Sequence, residues 1–263
     1  MRTVLFCPAS KPRALAKLGQ LRCDAVIIDL EDAVGRDQKT DARDKAKAFF
    51  AKDGAHQVRA LRINGPGTPE FYADLELADT ADVDAIVIPK VQRILDIEAV
   101  AGHVSKPLWI MIETAAGVLA SAELAAHPWV KTLILGPNDL YVSLGASRDA
   151  SRSALHTAMG HLILAGRAHA CVVLDGVYND FRDAEGLLAE AKAAKRLGFD
   201  GKTLIHPDQV PIVHQAFSPS EAELEDARAL IDAYASGDGN AVEFRGRMVE
   251  ELHVRAAKSL LQD

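Results

Sequence analysis

The chain has 263 residues, 49% of them hydrophobic, with 30 Lys and Arg against 37 Asp and Glu for a formal net charge of −7. That length and apolar fraction suit one large α/β domain with a full core, and the mildly acidic balance without a Lys/Arg stripe argues against a nucleic-acid partner. Cys7, Cys23 and Cys171 show no zinc-site spacing and suit reduced thiols in a cytoplasmic protein, and no run is long enough to span a membrane.

Strand-like and helix-like segments alternate along the chain. Thr3–Ala9 reads as a first strand, followed by helical spacing of Leu15, Leu18 and Leu21. Ala25–Leu30 is a second strand and Lys39–Phe50 a helix, with Asp41, Lys45 and Ala48 spaced as on its surface. Val58–Asn64 is the third strand, and Thr68–Leu77 a helix with Pro69 in its first turn. Ala85–Lys90 and Ile94–Val104 form the next strand and helix, then Leu108–Glu113 and Thr114–Ala125. Thr132–Gly136 leads into helices at Asn138–Leu144 and Ala150–Ala168. Ala170–Gly176, Asp183–Leu197 and Phe199–Ile205 complete eight alternations. Short connections between them predict an α/β fold of the TIM (β/α)8 barrel type. An open doubly wound sheet is the competing arrangement, but no dinucleotide glycine fingerprint follows the first strand.

The remaining chain is more than eight repeats need. Ser218 or Ser220 can cap a helix at Ala222–Tyr234, Gly237 and Gly239 break the chain, and a short strand at Ala241–Phe244 precedes a last helix from about Val249. The expected division is a barrel over 1–217 and a C-terminal helical extension over 218–263, packing on a neighbouring subunit or covering the barrel's own bottom.

Five apolar runs stop on polar or charged groups: Ala25–Asp32, Val58–Asn64, Ala85–Lys90, Leu108–Thr114 and Thr132–Asp139. Strand C-termini line the mouth of such a fold, where ligands bind. Glu113 and Asp139 follow successive strands; two hard carboxylates with open positions suit Mg²⁺. The Gly136–Pro137–Asn138 turn offers backbone amides for substrate at a helix start. Arg62 can grip a carboxylate or bridge to Glu31 or Asp32. Lys90 is placed as a Schiff-base lysine or as a charge partner of the carboxylates. Asp29 is read as structural. A metal, a carboxylate clamp and no nucleophile beside a base point to lyase or aldolase chemistry on a 2-keto acid unit.

CPAS near the start, DLEDAV (Asp29–Val34), LRIN (Leu61–Asn64), IPKV (Ile88–Val91), IET-x-x-GV (Ile112–Val118), G-x-x-DL (Gly136–Leu140), GK-x-LIHP-x-Q (Gly201–Gln209) and G-x-MV (Gly246–Val249) occur in this order. Together they resemble the citrate lyase beta-subunit-like branch of the HpcH/HpaI aldolase/citrate lyase family. The resemblance implies a TIM barrel, a Mg²⁺ cofactor and reversible cleavage of a 3-hydroxyacyl-CoA, of the citryl-CoA or malyl-CoA type, to acetyl-CoA and a 2-keto acid. It implies Glu113 and Asp139 as metal ligands and Arg62 as the substrate-binding arginine. Glu31 and Asp32 would lie near the metal's waters, with Glu31 among the catalytic residues. A homotrimer or dimer of trimers follows from the same resemblance. Relatives such as malyl-CoA lyases carry an Asp in the C-terminal motif as general acid/base; here Glu250 stands there. Hydrolysis of the same thioester, a turnover-deficient CoA-ester-binding protein and an aldolase on free hydroxy keto acids are the other readings. Lys11 and Arg13 are candidates for CoA phosphates, as is His206, which could equally order a loop.

Overall fold

A computed structural model describes residues 1–52, 57–237 and 241–261. The chain divides into two compact units, Met1–His214 and Gln215–Asp263. The first is the expected barrel. Its strands are β1 (Thr3–Pro8), β2 (Ala25–Asp29), β3 (Val58–Arg62), β4 (Ala85–Ile88), β5 (Leu108–Ile112), β6 (Val130–Leu135), β7 (Val172–Asp175) and β8 (Gly201–Leu204). They close in chain order, each parallel to the next, with β1 also pairing β8 from Thr3↔Lys202 to Leu5↔Leu204. The connecting helices are α1 (Pro12–Leu15), α2 (Lys39–Phe50), α3 (Phe71–Thr80), α4 (Ile94–Ala101), α5 (Ala115–Ala125), α6 (Pro137–Leu144), α7 (His156–Ala168) and α8 (Ala184–Leu197).

The uninterrupted apolar runs are explained by burial on both strand faces. All five residues of β2 are buried, as are all five of β5. One face of each strand packs beneath helices. The other fills the barrel with Val4, Ala25, Ile27, Ala60, Ala85, Val87, Trp109, Met111, Ile134 and Leu174. Small side chains such as Ala25, Ala60 and Ala85 leave room for the Trp109 indole in the same cluster.

Several elements differ from the sequence expectation. The first helix lasts only one turn, and a separate 3₁₀ turn at Leu18–Gln20 follows, where Gly19 weakens helix continuation. The third helix begins at Phe71, because Gly65–Thr68 form a turn closed by the Thr68 N–H on the Gly65 carbonyl (3.2 Å). The helix expected from Ala150 begins at His156. Asp149 gathers the Ser151 N–H (2.7 Å) and the Ser153 hydroxyl (2.7 Å), and Arg152 takes a left-handed φ of 54°.

The unit boundary falls within α9 (Gln209–Phe217), a helix the sequence reading left out. The second unit contains α10 (Glu221–Ala235), β9 (Val242–Phe244), β10 (Arg247–Val249) and α11 (Glu251–Leu260). Ser220 caps α10: its hydroxyl accepts the Glu223 N–H (3.2 Å) while Glu223 accepts the Ser220 N–H (2.7 Å). The single strand expected at Ala241–Phe244 is half of an antiparallel hairpin, turned by Arg245 (φ 51°) and Gly246 (φ 76°). Val249 ends β10, so the last helix starts at Glu251. Gly239 lies outside the described residues.

Candidate active site

Side-chain parity carries the barrel interior into the site. Alternate residues of a strand share a face, so Ala25 and Ile27 predict Asp29 on the inner face, Ala60 predicts Arg62, and Trp109 and Met111 lead to Glu113. On β6, Ile134 leads to Gly136, and on β7, Leu174 leads to Gly176. The register then sets neighbours, pairing Asp29 of β2 with Arg62 of β3.

Asp29 and Arg62 form a buried two-toothed ion pair. Arg62 Nε and Nη2 donate to the two Asp29 oxygens, each at 2.6 Å. Asp29 also accepts the Glu31 N–H (2.8 Å) and the Ala33 N–H (3.3 Å), so it orients the arginine and the following loop together. The remaining Arg62 nitrogen, Nη1, lies 3.1 Å from Glu31 Oε2 and 3.6 Å from Met111 Sδ, and the guanidinium sits 4.8 Å from the Phe6 ring centre. Arg62 thus makes the expected bridge to Glu31, but its principal partner is Asp29.

Lys90 joins the acidic pair from the fourth strand end. Its ammonium donates to Glu31 Oε1 and to both Asp32 oxygens, at 2.9 and 3.1 Å. Burial raises the Glu31 carboxyl above its ordinary value, opposed by Arg62 and Lys90. Burial likewise raises Asp32, but the Lys90 ammonium prevails and holds it below the usual carboxylate range. Lys90 thereby has the charge-partner role rather than that of a free amine for imine chemistry.

Glu113 is 3% exposed. Its Oε1 accepts the Lys90 backbone N–H at 2.7 Å. Gly136 makes room for it: a Cβ there would sit 2.5 Å from Glu113 Oε2 and 2.4 Å from Glu113 Cβ. Burial pushes the Glu113 carboxyl up to about 8; the Asp139 and Glu31 charges push the same way, against the Lys90 amide and Arg62. Asp139 stands in the first turn of α6, behind Pro137. A buried carboxylate repelled by its neighbours is a place where a cation relieves the electrostatics. Two hard oxygen donors with open space fit Mg²⁺, which retains waters and takes one or two carboxylates.

Arg62, Glu113, Gly136, Pro137, Asn138, Asp139, Asp29 and Asp32 line one cavity of about 350 Å³. Glu31, Lys90 and again Asp32 line an adjoining cavity of about 640 Å³. Lys11 and Arg13 line neither of these two cavities. His206 stacks its ring on Phe181 at 4.8 Å and accepts the Asp208 N–H on Nδ1 (3.3 Å), which orders its loop. Glu250 belongs to the second unit, where it is exposed and precedes α11; its N–H donates to His253 Nδ1 at 3.0 Å. All three thiols are buried, and burial raises Cys7 to about 12 and Cys23 to about 11, so neither is a poised nucleophile.

Two supporting groups escaped the sequence reading. Lys39 looks like one more helix-surface lysine, yet its ammonium donates to Leu30 O (2.7 Å), Glu31 O (2.7 Å) and Asn64 Oδ1 (2.8 Å), pinning the acidic loop from below. Lys202, quoted within the GK motif without a role, is fully buried. It donates to Asp175, Glu190 and the Gly176 carbonyl, each at 2.6 Å. Arg152 completes this group through Asp175 Oδ1 (2.7 Å) and Glu190 Oε2 (3.3 Å). The cluster fixes the end of β7. There Gly176 sits so close to Pro137 that a Cβ would lie 2.1 Å from the proline Cδ.

The HpcH/HpaI aldolase/citrate lyase family model matches residues 2–207. The chain belongs to this family. A structure of the protein CitE from Mycobacterium tuberculosis in complex with magnesium, acetoacetate and coenzyme A is similar at a TM-score of 0.90 and 33% identity. It covers 99% of this chain and 97% of that one. A (3S)-malyl-CoA thioesterase of Cereibacter sphaeroides is 47% identical over 266 aligned positions, 99% of this chain and 93% of that protein. An L-malyl-CoA/beta-methylmalyl-CoA lyase of the same species is 32% identical, covering 99% of this chain and 93% of that protein. These figures correct the expected carbon–carbon lyase activity. The chain is markedly more similar to thioesterases than to lyases, so motifs shared across the family identified it without identifying the bond broken.

Proposed function

We propose that this protein is an enzyme that hydrolyses the thioester of a 3-hydroxyacyl-CoA of the malyl-CoA type, releasing the free hydroxy acid and CoA. The carrying observation is the 47% identity, over nearly the full length, to relatives named (3S)-malyl-CoA thioesterase. In the reaction a water oxygen bonds to the thioester carbonyl carbon, the carbon–sulfur bond breaks, and the sulfur leaves as the CoA thiol.

The geometry supports this chemistry. Arg62, held by Asp29 along one edge and by Glu31 at Nη1, turns its guanidinium to the cavity for the carboxylate of the acyl group. Glu113 and Asp139 would hold Mg²⁺, which supplies Lewis-acid polarisation of a substrate carbonyl. Gly136 and Pro137 shape the floor where the acyl chain sits, and Asn138 offers its N–H at the start of α6. Glu31 holds Arg62 in place. Glu250, contributed from a neighbouring subunit, takes the proton of the attacking water, a role supported by its position in the family motif and its exposed carboxylate. No carbanion has to be made or quenched in this reaction, which tolerates Glu at a position where the lyases carry Asp. The assembly proposed is a homo-oligomer, a trimer or dimer of trimers.

The test is a screen of malyl-, methylmalyl-, citryl- and hydroxymethylglutaryl-CoA, with and without Mg²⁺, read for free thiol and for 2-keto acid. Thiol release with equimolar hydroxy acid and no keto acid is expected with at least malyl-CoA. Equimolar keto acid and acetyl-CoA would overturn hydrolysis.

A further inference from the structure

Lys90 occupies an unusual backbone position for what it does. It is a non-glycine residue at φ 53°, in the left-handed region, two positions beyond the end of β4 at Ile88, with Pro89 between. Such a conformation is disfavoured for an L-residue and collects at functional sites. Here it sends two groups of one residue to two sets of partners. The backbone N–H meets Glu113, and the side chain meets Glu31 and Asp32. Glu31 is 7% exposed, so its carboxylate depends on the partners the protein supplies. At the strand ends the mouth brings Asp29, Glu31, Asp32, Glu113 and Asp139 together with Arg62 and Lys90, and the larger cavity is lined further out by Arg36, Lys39 and Arg93 and by Glu70 and Asp96. Asp29 is saturated by Arg62 and two amides. Without Lys90, Glu31 Oε1 and both Asp32 oxygens would lose their ammonium and face the mouth as an anionic edge able to draw a divalent cation, while Glu31 Oε2 keeps Arg62 Nη1 at 3.1 Å.

We propose that Lys90 is the positioning residue of this mouth: a tethered cation that occupies Glu31 and Asp32, so that a single divalent ion binds, at Glu113 and Asp139. This rests on the reading that Glu113 and Asp139 hold the metal. The left-handed backbone lets one residue do both jobs, since its amide fixes the ligand Glu113 while its ammonium removes the competing carboxylates.

The backbone and side-chain roles separate cleanly by mutation. Lys90→Gly keeps, and relieves, the left-handed turn while deleting the ammonium. Lys90→Arg keeps a cation, and Lys90→Met keeps the bulk without charge. Mn²⁺ is titrated into each metal-stripped full-length protein without substrate, and bound ion is counted by electron paramagnetic resonance and calorimetry. The wild-type chain and Lys90→Arg should bind one ion. Lys90→Gly and Lys90→Met should bind two, with the first-site affinity of Lys90→Gly within about threefold of wild type. Combining Lys90→Gly with Glu31→Gln and Asp32→Asn should restore one. One ion in Lys90→Gly and Lys90→Met, with wild type also binding one, overturns the assignment of Lys90 alone. No ion in the wild-type chain overturns the metal reading, and this inference with it.

Discussion

Replacing Asp29 by Asn probes the ion pair on which the mouth is built. The change removes the charge facing Arg62 and turns one acceptor oxygen into a donor. One of the two 2.6 Å bonds from Arg62 is lost, and either the Glu31 or the Ala33 amide loses its acceptor. Arg62 is only 8% exposed, so water cannot replace what is lost. Breaking one side of a buried ion pair costs about 3–5 kcal/mol. At about 2–4 °C per kcal/mol for a chain of this size, the melting temperature should fall by about 6–20 °C. The arginine would also swing from its fixed edge, and an ångström-scale misplacement of a substrate clamp costs about 100-fold in turnover. Thermal unfolding and thioester hydrolysis, read by thiol release, measure the two effects. A double replacement separates them: Asp29→Leu with Arg62→Met should be more stable than Asp29→Leu alone, because no charge is left buried, yet remain inactive. A stability loss below about 1 kcal/mol for Asp29→Asn, the worth of an exposed pair, would refute this account.

Other expectations follow from the same geometry. Gly136→Ala drives a methyl into Glu113, so Mn²⁺ affinity should fall at least about tenfold, with about 1–3 kcal/mol lost to overpacking; unchanged affinity in a metal titration contradicts the close approach. Burial opposes the charge of Asp175, but Lys202 and Arg152 outweigh it and hold the carboxyl below its ordinary value. Its contribution to stability is then complete above about pH 3.9 and lost as pH falls through the lower folded value. Urea midpoints should therefore drop below about pH 4, and Asp175→Asn should flatten that acid limb while lowering the midpoint at pH 7. Cys7 and Cys23 should resist a disulfide reagent in the native protein and react only on unfolding, as a thiol count against urea would show. Glu250→Ala should lower kcat with little change in KM; an unchanged kcat removes it from proton transfer.

The barrel was legible because doubly buried strands leave continuous apolar runs, and its mouth because each run stops where parity turns a polar residue inward. What stayed hidden was pairing across long separations. Lys90 was expected as a charge partner of the mouth's carboxylates, but its meeting Glu31, 59 positions away, rather than another of them was not marked. The left-handed φ of Lys90 was equally silent, since residue identity marks that conformation only when it is Gly or Asn. Lys39 obeyed the helical period of α2, but the pattern does not show which helix residue meets the carbonyls of a neighbouring loop. The β9–β10 hairpin was half seen because its turn, Arg245–Gly246, carries the glycine second, inside a stretch too short to alternate. The family was legible from ordered motifs. The reaction was not, because relatives named for hydrolysis and relatives named for carbon–carbon cleavage both align over nearly the whole chain.

The buried quartet of Arg152, Asp175, Glu190 and Lys202 has a consequence for how this sequence can drift over generations. Its two positive and two negative charges balance within the barrel wall, with Lys202 and Asp175 wholly shielded from solvent. Any one replacement strands a partner, whereas an exchange of the whole set for well-packed apolar residues need not. Among descendants of a common ancestor these four positions should change together or stand still. Their invariance would then be a signature of mutual dependence, and would say nothing of which bond the enzyme breaks.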